Sequence, residues 1–153
     1  MVRRLARAVL RHVEDADDAA QDAFLSAWQA LDRYDERQPL APWLARIALN
    51  AARDLRRRRR VRTTEPLDTL RISSGGHGLE TRPGDILLRT RLEAALDELP
   101  ERQRLALLLF EVDGYAHAEI GALLGVPEGT ARSDVFHAKR KLRGVLGDRE
   151  GRP

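Results

Sequence analysis

The residue types that most often carry catalysis are scarce and scattered in this chain. There is no cysteine, which excludes disulfides and cysteine–zinc sites. The four histidines, His12, His77, His117 and His137, stand at no metal-ligand spacing. Ser73, Ser74, Gly75, Gly76 and Gly78 surround His77 and have the composition of a phosphate-cradling loop. No strand signal leads into them and no helix signal follows, and a phosphate loop needs both. There is no nucleophile elbow. The sequence therefore implies no enzyme, no cofactor, no bound metal and no small-molecule substrate.

The chemistry that remains is recognition by arginine. The net charge is only +3, and lysine occurs only at Lys139 and Lys141. Arginine codons accumulate in GC-rich genomes, but a planar guanidinium fork also suits phosphates and base edges. Near the C-terminus, 100° per residue puts Ala131, Val135, Ala138 and Leu142 on one side of a helix. Arg132, Ser133, Phe136, Lys139, Arg140 and Arg143 fall on the other, and a solvated face seldom offers a phenylalanine. Five consecutive arginines at 56–60 repel one another unless they are solvated or face an anion, so they read as a phosphate-contacting segment or a frayed helix end. Tyr34 and Arg37 lie in a loop at 32–42 beside that basic helix, where an aromatic ring can stack on an unpaired base or simply pack. Asp18, Asp22, Leu25 and Gln29 form an acidic face with one apolar member, either solvated or docked on a protein.

Helices must position all of these, because strand signals are almost missing. Ala20, Ala23, Phe24, Ala27, Trp28 and Leu31 recur at helical spacing and are expected to form a core-facing stripe. Asp15, Asp17 and Asp18 stand near that helix's start, where the dipole favours negative charge. Pro39 and Pro42 break the pattern, and Pro42 suits the first turn of the next helix. That helix carries Trp43, Leu44, Ile47, Ala48, Ala51 and Leu55 on one side and Arg46, Asn50, Arg53 and Arg57 on the other. Residues 63–84 are rich in glycine, serine and proline and read as a flexible linker. Helicity resumes at Asp85, with Leu88, Leu92, Ala95, Leu96 and Leu99 as one stripe. Pro100 then separates it from a helix built on Leu105, Leu108, Leu109 and Val112. Ile120, Leu123 and Leu124 on a short helix, the turn Gly125-Val126-Pro127 and a helix at 128–142 make a helix-turn-helix pattern. The expected architecture is all-α: a helical domain at 1–62, a linker at 63–84, a second helical domain at 85–147 and a tail at 148–153. Domains of ~60 residues are marginal alone, so both are expected to lean on a partner.

The stretch DADDAAQDAFLSAWQALDRYDERQPLAPWLARIALNAARDLRRRRR resembles region 2 of the extracytoplasmic-function sigma factors of bacterial RNA polymerase. LDELPERQRLALLLFEVDGYAHAEIGALLGVPEGTARSDVFHAKRKLR resembles their region 4. Together they cover most of the chain outside the linker, in the family's order. The resemblance implies a promoter-specificity subunit that binds core polymerase and promoter DNA, with an anti-sigma factor as a further partner. It places Asp18, Gln21, Asp22 and Leu25 against the polymerase's largest subunit. It places Tyr34, Arg37, Trp43, Arg46, Asn50 and Arg53 at the −10 element, where a base is captured and the duplex melts. It places Arg132, Ser133, Phe136, His137, Arg140 and Arg143 at the −35 element.

Two departures from the family pattern stand out. The family has a longer N-terminal helix before the residues that match Leu5 to Val13, so either region 2 is N-terminally short here or the start is misassigned. Ala116-His117-Ala118 stands where the family has serine or threonine followed by acidic residues, which weakens a helix cap worth ~1 kcal/mol. The rival readings are a stand-alone helix-turn-helix regulator, which would need a dimerisation element not evident here, and a helical protein adaptor without DNA, which the polar and aromatic face of the last helix opposes. No apolar run approaches the ~20 residues of a membrane span, and no signal core follows Arg3 and Arg4. The expected location is the cytoplasm.

Overall fold

The computed structural model describes residues 1–62 and 83–147, without the side chains of 83–85, 145 and 146. The linker expected at 63–84 lies outside the described residues as far as 82, as does the tail at 148–153. Among the described residues there are seven α-helices, one short 3-10 turn and no strand. The chain forms two compact units.

In the first unit, α1 (Val2–Leu10), α2 (Val13–Gln29) and α3 (Leu40–Arg62) each pack on the other two. Arg11, between α1 and α2, takes the left-handed conformation (φ 62°) that ends many helices, and its N–H donates to the Arg7 carbonyl at 2.9 Å. The buried positions of α2 and α3 are largely alanine: Ala16, Ala19, Ala20, Ala23 and Ala27 of α2, and Ala45, Ala48, Leu49 and Ala52 of α3, while α1 adds Val2, Leu5, Val9 and Leu10. Side chains this small allow the helix axes to approach closely. That packing corrects the stripe read for α2. Ala20, Ala23 and Ala27 are buried, but Phe24, Trp28 and Leu31 are exposed, Trp28 by 76%. The apolar arc is wider than the core can cover, and close packing selects its alanine half.

The second unit begins with α4 (Pro83–Asp97), which opens at Pro83 rather than Asp85; proline's fixed φ suits a first helical turn. Then follow α5 (Glu101–Glu111), α6 (His117–Leu124) and α7 (Glu128–Gly147). Pro100 caps α5 at its N-terminal end. Burial on α4 is confined to its C-terminal half, so Leu88 of the expected stripe is exposed, as are Ile86 and Leu87. On α5, Leu105 and Leu109 are buried as expected, Val112 is exposed, and Leu107 takes its place in the core. Arg104 is also buried, because its guanidinium donates to the carbonyls of Leu96 (3.2 Å) and Leu99 (3.1 Å) at the end of α4. Carbonyls at a helix C-terminus run short of helical donors; that of Leu96 also accepts the Leu99 N–H at 3.2 Å. α7 runs to Gly147, one turn past the expected end near Leu142.

Candidate protein and nucleic-acid interfaces

The first candidate surface lies on α2. Asp18 and Gln21 are exposed and Leu25 is 58% exposed. Asp22 is half-buried and accepts a hydrogen bond from Arg58 of α3 at 3.3 Å. The exposed Phe24 and Trp28 flank these residues at helical spacing. Periodicity alone put them in the core; what betrays them is that alanine occupies every neighbouring core position.

The second lies along α3 and the loop before it. Arg46, Asn50 and Arg53 recur at i, i+4 and i+7, one stripe of a helix, and Trp43, read with the apolar side, stands one turn before them at the border between the two sides. Arg46 and Asn50 are exposed, and Trp43 and Arg53 half-buried. The Tyr34 ring lies 4.9 Å from Trp43, tilted by 45°, and its hydroxyl donates to the Gln38 carbonyl. The Arg37 N–H donates to Asp35 Oδ1 at 3.0 Å. The loop is thus tied in a compact turn with its aromatic ring at the head of the polar stripe.

The arginines at 56–60 are less available than a bare charge run. Arg57 pairs with Asp54 (2.7 Å), Arg58 with Asp22, and Arg59 with Asp15 in the first turn of α2. Asp15 is buried. Three members of the run are therefore partnered by carboxylates of their own unit, two of them on α2.

The third surface is the helix-turn-helix of α6 and α7. Gly125 turns the chain at φ 72°, and Val126 N–H donates back to the Gly121 carbonyl at 2.9 Å. A Cβ on Gly121 would lie 2.6 Å from the Val126 carbonyl oxygen, so the turn is pressed against this residue. At the start of α6, Glu119 accepts from the Ala116 N–H at 2.8 Å, and alanine offers no side-chain acceptor for the reciprocal bond. On α7, Ala131, Val135 and Ala138 are buried, while Arg132, Ser133, Phe136, His137, Arg140 and Arg143 are exposed. Arg132 pairs with Glu128 at 2.5 Å, and Phe136 meets the His137 ring edge-on at 5.6 Å. Lys139, read with the outward face, instead pairs with Glu111 and lies 4.8 Å over the Phe110 ring. Asp134 escaped the sequence reading altogether. It is buried, and Arg102 of α5 grips it with Nε at 2.6 Å and Nη2 at 3.3 Å. That hydrogen bond, and then the Asp134 charge, raise the Arg102 pKa above its usual value.

Among the described residues no group of side chains could hold a metal ion, and no helix is long and apolar enough to cross a membrane.

Residues 1–62 match the family model for Sigma-70 region 2, and residues 89–142 that for Sigma-70, region 4. The chain is 35% identical over 144 residues to the ECF RNA polymerase sigma factor SigM of Mycobacterium tuberculosis, spanning 94% of this chain and 70% of the relative. It is 32% identical over 150 residues to the ECF RNA polymerase sigma-E factor of Escherichia coli, spanning 91% of this chain and 78% of the relative. The sigma factor RpoE of Bartonella quintana, solved in complex with the anti-sigma factor NepR, superposes with a TM-score of 0.79 at 25% identity, over 95% of this chain and 89% of that one. CnrH, solved with the cytosolic domain of CnrY, gives 0.65 at 28% identity, over 97% and 81%. With both regions matched in order and relatives above 30% identity over most of this chain, the chain belongs to the ECF family of RNA polymerase sigma factors.

Proposed function

We propose that this sigma factor docks on core polymerase through α2, engages melted −10 DNA along α3 and reads the −35 element with α7. The catalysis belongs to the polymerase it recruits, and its place of work is the cytoplasm. The observation that carries the reading is the division of α7: a buried strip of small apolar residues behind an outward strip of arginines, Ser133, Phe136 and His137 on a helix-turn-helix. The polymerase-facing set is Asp18, Gln21, Asp22 and Leu25, to which their exposure adds Phe24 and Trp28. The −10 set is Tyr34, Arg37, Trp43, Arg46, Asn50 and Arg53, headed by the Tyr34–Trp43 ring contact. The functional boundaries are region 2 at 1–62, a linker over the following residues and region 4 to 147. The structures of RpoE with NepR and of CnrH with CnrY support an anti-sigma factor as a further partner.

The test is holoenzyme binding and start-site mapping on promoters varied at −35. Arg132 lies near the N-terminus of α7, the part of a recognition helix that reaches base edges. Arg132→Ala should weaken binding by ~1–3 kcal/mol and relax preference at one base pair. Arg143, more than two turns on, belongs over phosphate. Arg143→Ala should weaken all sequences alike and lower the salt slope by about one unit. Unchanged affinity and preference in Arg132→Ala would remove α7 as the reader.

A further inference from the structure

The face by which the N-terminal half of α7 sits on its unit is built of small side chains, with Leu142 packing on the core further along. Its fully buried members are Ala131 and Ala138, with Val135 between them, and two alanines make shallow knobs. Lys139 pairs with Glu111 and Lys141 donates to the Glu98 carbonyl at 2.9 Å, both through single flexible ammonium groups, and one further polar contact is forked and reaches a buried side chain. Asp134, its side chain 5% exposed, is held by both Nε and Nη2 of Arg102. A planar fork on a carboxylate fixes orientation as well as distance. Arg102 is in the first turn of α5, and its guanidinium is 54% exposed, so the pair closes the edge of the seam between the two helices. Asp134 is two residues from Arg132 and next to Ser133, on the flank of the helix away from Arg132.

Small roll matters here. An atom ~6 Å from a helix axis moves by roughly 1 Å for a 10° turn, and binding sites tolerate only about half that displacement. The side chains reading the groove sit at that radius or beyond.

We propose that Arg102 is a positioning residue for −35 recognition: its fork on Asp134 sets the roll of α7 and thereby the register of Arg132 and Ser133 on the base pairs. This deepens the assignment of α7 as the −35 reader and rests on it. Arg102 acts through Asp134 and touches no base.

The experiment uses holoenzyme on a promoter library randomised at −35, with melting temperature and salt dependence measured on the same proteins. Arg102→Met removes the fork and leaves the buried carboxylate unpaired; Arg102→Lys keeps the charge without the fork. Both should lower affinity for the preferred −35 sequence roughly tenfold, the scale of one lost bidentate base contact. Both should flatten the preference at the base pairs assigned to Arg132 and Ser133, and change binding to scrambled −35 sequences by less than about twofold, with the salt slope unaltered. Asp134→Asn, which keeps the shape and one acceptor, should fall between wild type and Arg102→Met, and it serves where the arginine variants do not fold. A lower melting temperature with an unchanged base profile overturns the proposal, since the pair would then be cement only. So does a uniform loss with a salt slope reduced by about one unit, which would make Arg102 a phosphate contact. So does full rescue by lysine. Arg132→Ala in the same assay separates the two levels: no effect there removes the reader itself, whereas an effect there without one at Arg102 removes only the positioning role.

Discussion

Gly121→Ala sets two effects of similar size against each other, and the structure decides between them. Gly121 is within α6, with an ordinary helical backbone, and alanine is the better helix former by ~1 kcal/mol. Propensity alone would make the variant more stable. The added Cβ, however, would lie 2.6 Å from the Val126 carbonyl oxygen and 3.3 Å from the Glu128 nitrogen. The first contact falls about 0.8 Å short of the 3.4 Å at which ordinary van der Waals contact begins. Both obstructing atoms are backbone, so no side chain can swing aside. The Val126 N–H is itself bonded to the Gly121 carbonyl at 2.9 Å, so opening the turn strains the bond that closes it. Overpacking of this kind costs ~1–3 kcal/mol, which exceeds the propensity gain over most of that range. The expected net loss is up to ~2 kcal/mol.

For a unit of this size, each kcal/mol shifts the melting temperature by ~4–8 °C, an effect that thermal unfolding followed by circular dichroism resolves easily. Glu128 is the first residue of α7, so the displaced atoms include the start of the helix proposed to read the −35 element. Loss of −35 discrimination in the holoenzyme should therefore accompany the loss of stability. A variant that melts at or above the wild-type temperature and keeps its −35 preference would refute the reasoning: the turn would then be able to yield without penalty.

Leu25→Asp, Phe24→Ala and Trp28→Ala should each weaken core-polymerase binding about tenfold or more in a titration, yet leave the melting temperature almost unchanged, because all three side chains are exposed; a large stability loss with normal affinity would return them to the core. Ala116→Ser gives α6 the acceptor it lacks and should stabilise the second unit by ~0.5–1 kcal/mol; no gain in chemical denaturation would mean that Glu119 already satisfies the cap. Arg59→Ala should destabilise the first unit by ~1–3 kcal/mol, because it strips the partner from the buried Asp15, whereas Arg58→Ala, which leaves the half-exposed Asp22 to water, should stay within about 0.5 kcal/mol. Equal losses in the two arginine variants would contradict the difference in burial.

The helices and the turn at Gly125 were legible because they are local. Proline, glycine and 3.6-residue spacing act within a few residues, and Pro100, Gly125 and the two faces of α7 follow from them. What the sequence hid depends on partners distant in the chain. Phe24 and Trp28 satisfy the same periodicity as Ala20, Ala23 and Ala27, and only the close approach of α3 decides which half of the arc is covered. Val112 and Leu107 exchange roles on α5 for the same reason. Asp134 and Arg102 are 32 residues apart, and no periodicity connects them. The run of arginines is legible as charge, but its pairing with Asp15 and Asp22 depends on the crossing of α2 and α3.

The two units divide stability and recognition differently, and the cause is the size of the side chains in each core. In the first unit alanine fills most of the buried positions of α2 and α3, and the large residues Phe24, Leu25 and Trp28 lie on the surface. Burying each against a partner is worth ~1.5–3 kcal/mol, a gain that the isolated unit forgoes. Its fold does not depend on these residues, so its partner surface can change with little effect on folding. In the second unit the surface and the scaffold share a helix. Asp134 and Val135 hold α7 in place, and their immediate neighbours Ser133 and Phe136 face outward. Any substitution that lets α7 settle differently, whether at Gly121 behind its N-terminus or at Arg102 beside it, moves the outward residues too. If α7 reads the −35 element as proposed, recognition in this unit is tied to packing, and a promoter preference should shift through residues that touch no DNA.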